Sequence, residues 1–463
     1  MTQNAGIPPR TAGALEARIR ESLVARALVL PVQQFIHIQG VSSIVLLLAA
    51  IAALVWANSP WRESYHHVWD IQLTLSRLQL PVHAWINDAL MAIFFFLVGM
   101  EIKHEIVHGE LSDIRRASLP IVAALGGMVV PAALYAAINF HQPGAHGWGI
   151  PMATDIAFSL GVLAMVRGIP PELKVFLLSL AIADDIGAIA VIAIFYTETL
   201  RIHALVVGAL FLLVIYLVRR IGVQRPILYA VLGLMFWVAI LRSGVHATIA
   251  GVILGFMVPT TPRLSFAEFE SIGTDVVKQY REALAAGDTA TASRVLGVLE
   301  QVVVATEADS ERLTRKLNDW VSFLVLPLFA LANAGVEFSS NGWGDLLRSH
   351  VAWGVLAGLI VGKPLGIVAF SVTAVKLGIA SLPNHVNWRL VSAVGMLAGI
   401  GFTVSIFISS LAFTDDALLM QAKAAVLGAS LISGVVGFMV LRRASAEEAQ
   451  TIGAEAAGSA SNA

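Results

Sequence analysis

Between residues 40 and 441 the sequence repeats one pattern: a mostly apolar run about as long as a bilayer is thick, then a short polar connection. A helix needs roughly 20 such residues to cross the hydrocarbon layer. Twelve candidate spans fit, at about 40–57, 81–105, 119–138, 150–166, 171–197, 203–218, 227–241, 244–258, 318–336, 350–376, 389–413 and 418–441. The composition agrees: 57% of the chain is hydrophobic and only 13% charged, where soluble domains carry about a quarter charged residues. The expected fold class is an all-α polytopic membrane protein of about twelve transmembrane helices. A net charge of −1 points to no nucleic-acid partner, and the absence of cysteine excludes disulfides, thiolate metal ligands and cysteine nucleophiles.

Charge placement orients the spans. With the N-terminus inside, 23 Lys and Arg residues fall on the cytoplasmic side and 6 on the other, with Lys363 left within a span. Omitting the long 263–316 segment leaves 16 against 6. The positive-inside rule then predicts cytoplasmic termini and an even number of spans. Residues 1–37 read as a cytoplasmic segment without signal-peptide character, in which Gly13–Leu30 reads either as an amphipathic surface helix or as a basic tail. Residues 38–258 hold spans one to eight. An external hairpin is expected near 58–80, where Trp69 to Ser76 alternates like a strand. Residues 259–317 read as a cytoplasmic helical insertion, 318–441 as spans nine to twelve, and 442–463 as a disordered tail.

A charge at the bilayer centre costs at least about 2.5–3.5 kcal/mol, so it persists mainly where it faces a cavity or a partner. Asp88, Asp155, Asp184-Asp185 and Lys363 all fall deep in apolar runs. Glu101 and Glu105, four apart near the end of the second span, read either as interfacial charges or as functional ones. His246 reads more readily as a hydrogen-bonded packing residue than as a ligand. The adjacent aspartates are different, because a helix cap does not explain two neighbouring acids with about ten apolar residues on each side. Such a pair titrates as a unit, and its oxygens suit a hard cation. The same atoms can therefore hold a proton or a metal ion, but not both. Lys363 needs a buried carboxylate or helix-end partner, and Asp184 is the first candidate.

Two spans look broken. Pro151 precedes Thr154-Asp155 in the fourth, and Gly399-Ile400-Gly401 weakens the eleventh. They are the middle members of two three-span groups, the arrangement of inverted-repeat transporters with a midplane site. Opposed half-helices leave positive and negative ends inside the membrane. Asp155 and Lys363 have the signs to offset them. A Na⁺-driven symporter of the same architecture would require a roomy polar cavity beside the aspartates. An intramembrane hydrolase would show a Ser-His pair or HExxH, and neither is evident.

The segments Trp85–Met91, Ala153–Phe158, Asp184-Asp185, Ser243–Thr248, Gly362–Gly366 and Gly399–Thr403 resemble the bacterial NhaA-type Na⁺/H⁺ antiporters, in family order from about residue 38 to 441, except for most of 263–312. The resemblance implies crossing of the broken fourth and eleventh helices. It implies Asp185 as the main cation and proton carboxylate, with Asp184 beside it paired to Lys363. Thr154 and Asp155 would lie at the crossing, Asp88 would line the interior, and Glu101 and Glu105 the cytoplasmic funnel; His246 is kept beside them as a candidate for the funnel or pH response. It further implies electrogenic, pH-regulated exchange of Na⁺ or Li⁺ for H⁺ across the inner membrane, a homodimer joined by the external hairpin, and no cofactor. One departure is clear. Where the family carries Glu and His at the start of the ninth span, this chain reads Thr314-Arg315-Lys316-Leu317-Asn318-Asp319.

Overall fold

The computed structural model describes residues 41–75, 78–197, 200–223, 225–337 and 342–461. The expected N-terminal segment, and Ser76-Arg77 at the hairpin tip, lie outside the described residues. The described residues are helical almost throughout, as a backbone in lipid must be to satisfy its own polar groups. Among the described residues, seven helices are long and apolar enough to cross a membrane, and up to ten spans result if each of three bent pairs counts as one. The pieces that fall short of the expected twelve include the eleven-residue Ala247–Met257 and the eight-residue Leu326–Asn333.

Helix α1 is Val41–Ala57. It is followed at a 114° bend by α2, Arg62–Asp70. Strands β1 (Gln72–Leu75) and β2 (Leu78–Pro81) then pair antiparallel, Leu73 opposite Leu80 and Thr74 opposite Gln79. The alternation read from Trp69 onward therefore becomes strand only at Gln72. Trp69 instead belongs to α2 and stacks edge-on with Tyr65.

Helix α3 (Val82–Val107) contains a π-helical turn, Trp85–Leu90. Helix α4 is Ile114–Ile138. A long 3₁₀ segment, Pro143–Met152, is bent by 44° against α5, Ile156–Ala164. Helices α6 (Pro171–Phe195), α7 (Ile202–Arg220), α8 (Pro226–Ser243) and α9 (Ala247–Met257) follow. Gly244, with φ +85°, turns the chain between α8 and α9 in a backbone region that favours glycine.

The expected insertion is an αα-hairpin of α10 (Phe266–Ala285) and α11 (Thr289–Thr306). Helix α12 (Asp309–Trp320) runs on through a π-helical turn, Val321–Val325, into α13 (Leu326–Asn333). After α14 (Gly342–Arg348) come α15 (His350–Lys376) and α16 (Trp388–Ala398), the latter bent by 45° against α17, Phe402–Ala412. Helix α18 is Asp416–Ser461. Its backbone stays helical past 441, where a disordered tail was expected, in a stretch rich in the strong helix formers Ala and Glu.

Small residues set the helix spacing around the centre. Helices α4 and α15 touch where Gly126 meets the carbonyl oxygen of Gly366, and α3 and α9 touch where Gly251 meets that of Ala92. A side chain at these points would force the backbones apart, and membrane helices use such positions for close packing.

The α10–α11 hairpin starts with two capping carboxylates. Glu268 completes a capping box with Ser265, and Asp288 accepts from the Thr291 N–H at 3.0 Å. Hydrogen bonds from the Ser265 backbone and hydroxyl hold the Glu268 carboxyl below its ordinary range, and those from Thr291 do the same for Asp288. Carboxylates lowered in this way stabilise the fold above their unfolded pKa, and that contribution is lost as pH falls through the folded value. Amide protection factors over 266–269 and 289–292, corrected for the intrinsic pH dependence of exchange, are expected to fall on acidification below the usual carboxylate range; unchanged protection there would refute the assignment of these caps.

Candidate functional site

The 44° and 45° bends each leave a short gap in the helix, flanked by helix ends. Ala153–Asp155 separates the 3₁₀ segment from α5, and Gly399–Gly401 separates α16 from α17. The gaps meet. The Asp155 N–H donates to the Ile400 carbonyl at 2.7 Å. Thr154 Oγ1 donates to the Ala398 carbonyl at 3.0 Å, and Ser159 Oγ to that of Leu397 at 2.9 Å. Ser405 Oγ donates to the Ile150 carbonyl at 2.8 Å. Backbone groups freed by the breaks are thus satisfied from the facing segment, as dry surroundings require.

Asp155, 2% exposed, serves both helix starts at once. Its Oδ1 accepts from the Phe158 N–H of α5 at 3.0 Å. Its Oδ2 accepts from the Thr403 N–H at 3.1 Å and from Thr403 Oγ1 at 2.6 Å, at the first turn of α17. One negative charge therefore sits at two positive helix ends, where it is stabilised by both.

Lys363, fully buried at the join between a π-helical turn and the rest of α15, donates to the Met152 carbonyl and to Asp184 Oδ2, the latter at 2.8 Å. Met152 closes the 3₁₀ segment, so the ammonium lies at a negative helix end. The other negative end, at α16, is met by the hydroxyls of Thr154 and Ser159 rather than by Lys363.

Asp184 and Asp185 sit mid-way along α6, 1% and 4% exposed. Neighbours on a helix point about 100° apart, and here the two carboxylates differ. Asp184 is engaged by Lys363 through Oδ2, while its buried Oδ1 has no hydrogen-bond partner. Asp185 has no hydrogen-bond or ion-pair partner among the described residues. It lies within the electrostatic reach of Asp184, Glu101, Lys363 and Asp155. The arrangement presents open carboxylate oxygens beside a fixed positive charge.

The other expected residues fall in different places. Glu101 lies one turn before Glu105 on α3. Glu105 is buried and tied down, its Oε1 accepting from Ser179 Oγ at 2.9 Å and from the Glu110 N–H at 3.0 Å. Ser179 borders a cleft of about 410 Å³ lined also by Glu110, Arg115, Arg116 and Glu172. From Ser179 the distance along α6 to Asp185 is about 9 Å. His246 is not part of this group. Its Nε2 contacts the Tyr196 carbonyl at 2.7 Å, at the far end of α6, about 25 Å along the helix axis from Ser179. This contact ties the start of α9 to the end of α6. Asp88 occupies the π-helical turn of α3, with its main-chain carbonyl accepting from Trp237 Nε1 at 3.3 Å. Thr403, Ser159 and Ser179 were not singled out as site residues. Thr403 had a usable signal, a hydroxyl in the first turn after a Gly-rich break.

This is the architecture of a multi-pass membrane transporter, with a buried ion pair beside two joined helix breaks. The family profile described as Na⁺/H⁺ antiporter 1 matches residues 33–441. The Na(+)/H(+) antiporter NhaA 2 of Syntrophotalea carbinolica is 45% identical over 427 residues, covering 90% of this chain and 98% of that protein. The Na(+)/H(+) antiporter NhaA of Koribacter versatilis is 42% identical over 438 residues, 94% and 96% of the two chains. That of Wolinella succinogenes is 42% identical over 420 residues, 88% and 92%. The chain belongs to the Na⁺/H⁺ antiporter 1 family and is a secondary transporter rather than an enzyme.

Removing one partner from a buried ion pair leaves an uncompensated charge and costs about 3–5 kcal/mol. Lys363→Ala is expected to lower thermal stability in detergent by an amount of that order, and adding Asp184→Asn to restore part of it. A loss in the double variant equal to the sum of the two single-variant losses would show that the two side chains are not coupled.

Proposed function

We propose that Asp185 and Asp184 bind the transported cation and exchange it for protons, with Asp185 as the main carboxylate. The observation that carries this reading is the asymmetry of the pair. One acid is held by Lys363 with Thr154 beside it, while Asp185 has no hydrogen-bond or ion-pair partner among the described residues. Such oxygens suit a hard cation, and a proton on either makes it a poorer ligand. Mutual exclusion at one site, with access alternating between the two sides, suffices for coupled exchange.

The chain then works as an electrogenic, pH-regulated exporter of Na⁺ or Li⁺ in the bacterial inner membrane, drawing on inward proton flow. Twelve spans with both termini cytoplasmic accommodate the structure when Ala247–Met257 and the α12–α13 helix each count as one. The fourth and eleventh spans cross at the joined breaks. The group of spans three to five and ten to twelve moves against the remainder, and two chains associate through the β1–β2 hairpin. Cations enter from the cytoplasm by the cleft at Ser179, passing Glu105 and Glu101. Asp88 lines the interior, and Asp155, Thr154 and Lys363 hold the site in shape.

Asp185→Asn is expected to abolish cation-dependent exchange in proteoliposomes, measured as Na⁺- and Li⁺-driven dissipation of an imposed proton gradient. With the unaltered protein in weakly buffered detergent, Na⁺ addition should release protons. Retained exchange in the variant, or cation binding without proton release, would sink this mechanism.

A further inference from the structure

The α10–α11 hairpin lies apart from the site, and the segment before Val41 lies outside the described residues. We infer that each is the partner of the other, the basic N-terminal segment docking on the apolar side of the hairpin.

The hairpin helices pack against each other. Gly273, Val276, Ala283, Ala292, Val295 and Val302 are buried along that seam. Outside the seam, Phe266 is 82% exposed, Leu284 51%, Leu296 46% and Val303 51%, with Val277 at 38%. On α10 the positions 266, 277 and 284 form one stripe, and on α11 the positions 296 and 303 form another. Both stripes are rotated in the same sense from the buried seam. In an antiparallel pair that brings them to one side of the hairpin. Contiguous exposed apolar surface of this kind marks an interaction site.

Charge distinguishes the occupant. Between 266 and 306 the hairpin has six acidic side chains against three basic ones. An anionic lipid surface or a second hairpin would be repelled by it. Residues 1–40 hold Arg10, Arg18, Arg20 and Arg26 against Glu16 and Glu21, the complementary sign, and Leu15, Ile19 and Leu23 recur at helical spacing to supply an apolar stripe.

Reach is sufficient. Asn58 Nδ2 donates to the Val336 carbonyl at 2.7 Å, so α1 and the α12–α13 helix end together. Val41 therefore emerges at the same end as Trp320. The hairpin joins at that end too, where the Ser310 N–H donates to the Pro259 carbonyl at 3.0 Å and the Arg263 N–H to that of Ala305 at 2.9 Å. The ten residues from 31 to 40 can span up to about 33 Å. Gly13–Leu30 as a helix is about 27 Å long, close to the length of α10 or α11.

The cysteine-free sequence makes the test direct. In the full-length protein in proteoliposomes, Ile19→Cys is paired in turn with Leu296→Cys and with Val303→Cys, and joined by a short bifunctional maleimide. A crosslink within one chain is expected, with loss of that product when Arg18→Glu, Arg20→Glu and Arg26→Glu are added. A crosslink only between chains would identify a second copy as the occupant and overturn the inference. So would a fluorophore at Ile19 quenched by lipid-borne nitroxides, or the absence of crosslinking at both positions in protein that remains monodisperse. None of these readouts involves ion exchange, so their outcome is separate from that of the proposed transport mechanism.

Discussion

Two helices that stop and restart inside a membrane create a problem that water cannot solve. Each break frees backbone donors and acceptors and leaves a positive helix start facing apolar surroundings. Here the breaks meet, and the Asp155 carboxylate accepts hydrogen bonds from the starts of both α5 and α17. The carbonyls left at the other ends go to Thr154, Ser159, Ser405 and Lys363. Irregular backbone at membrane depth is tolerated only where protein satisfies it in this manner. The placement of the buried charges follows from that requirement, and they hold the geometry in which the aspartate pair sits.

The pair itself is built on a continuous helix, not on the broken ones. Helix α6 packs against α4, and α4 is clamped to α15 through Gly126 and Gly366, so Lys363 on α15 is brought within 2.8 Å of Asp184. Because successive side chains on a helix diverge, only one of two adjacent acids can take that lysine. The other is left without a hydrogen-bond partner among the described residues. A site with one neutralised and one unengaged carboxylate can respond to either a proton or a cation, whereas two fully paired acids could respond to neither.

Away from this centre the fold separates roles that look alike in one dimension. Glu105 and His246 are both ionisable residues near span ends, yet they meet α6 at opposite ends. Glu105 borders the polar cleft through Ser179, while His246 braces the α6–α9 junction against Tyr196. The hairpin α10–α11 stands outside the transmembrane spans, with a charge balance and an apolar side separate from the buried aspartates.

The span pattern, the buried acids and base, and the two weak points were legible in the sequence, because desolvation makes a charge in an apolar run conspicuous and because Pro and Gly disrupt helices in a known way. The Asp184–Lys363 pairing could be anticipated from the same cost, since few other partners of opposite sign lay in the apolar segments. What only the tertiary structure decided is which groups share each helix end: that Asp155 serves two starts, that Lys363 serves one end and hydroxyls the other, and that His246 lies far from Glu105. Hydrogen bonds at this site act over about 3 Å between segments as many as 255 residues apart. Local propensity and periodicity carry no information at that separation, so these assignments became readable only once the helices were packed.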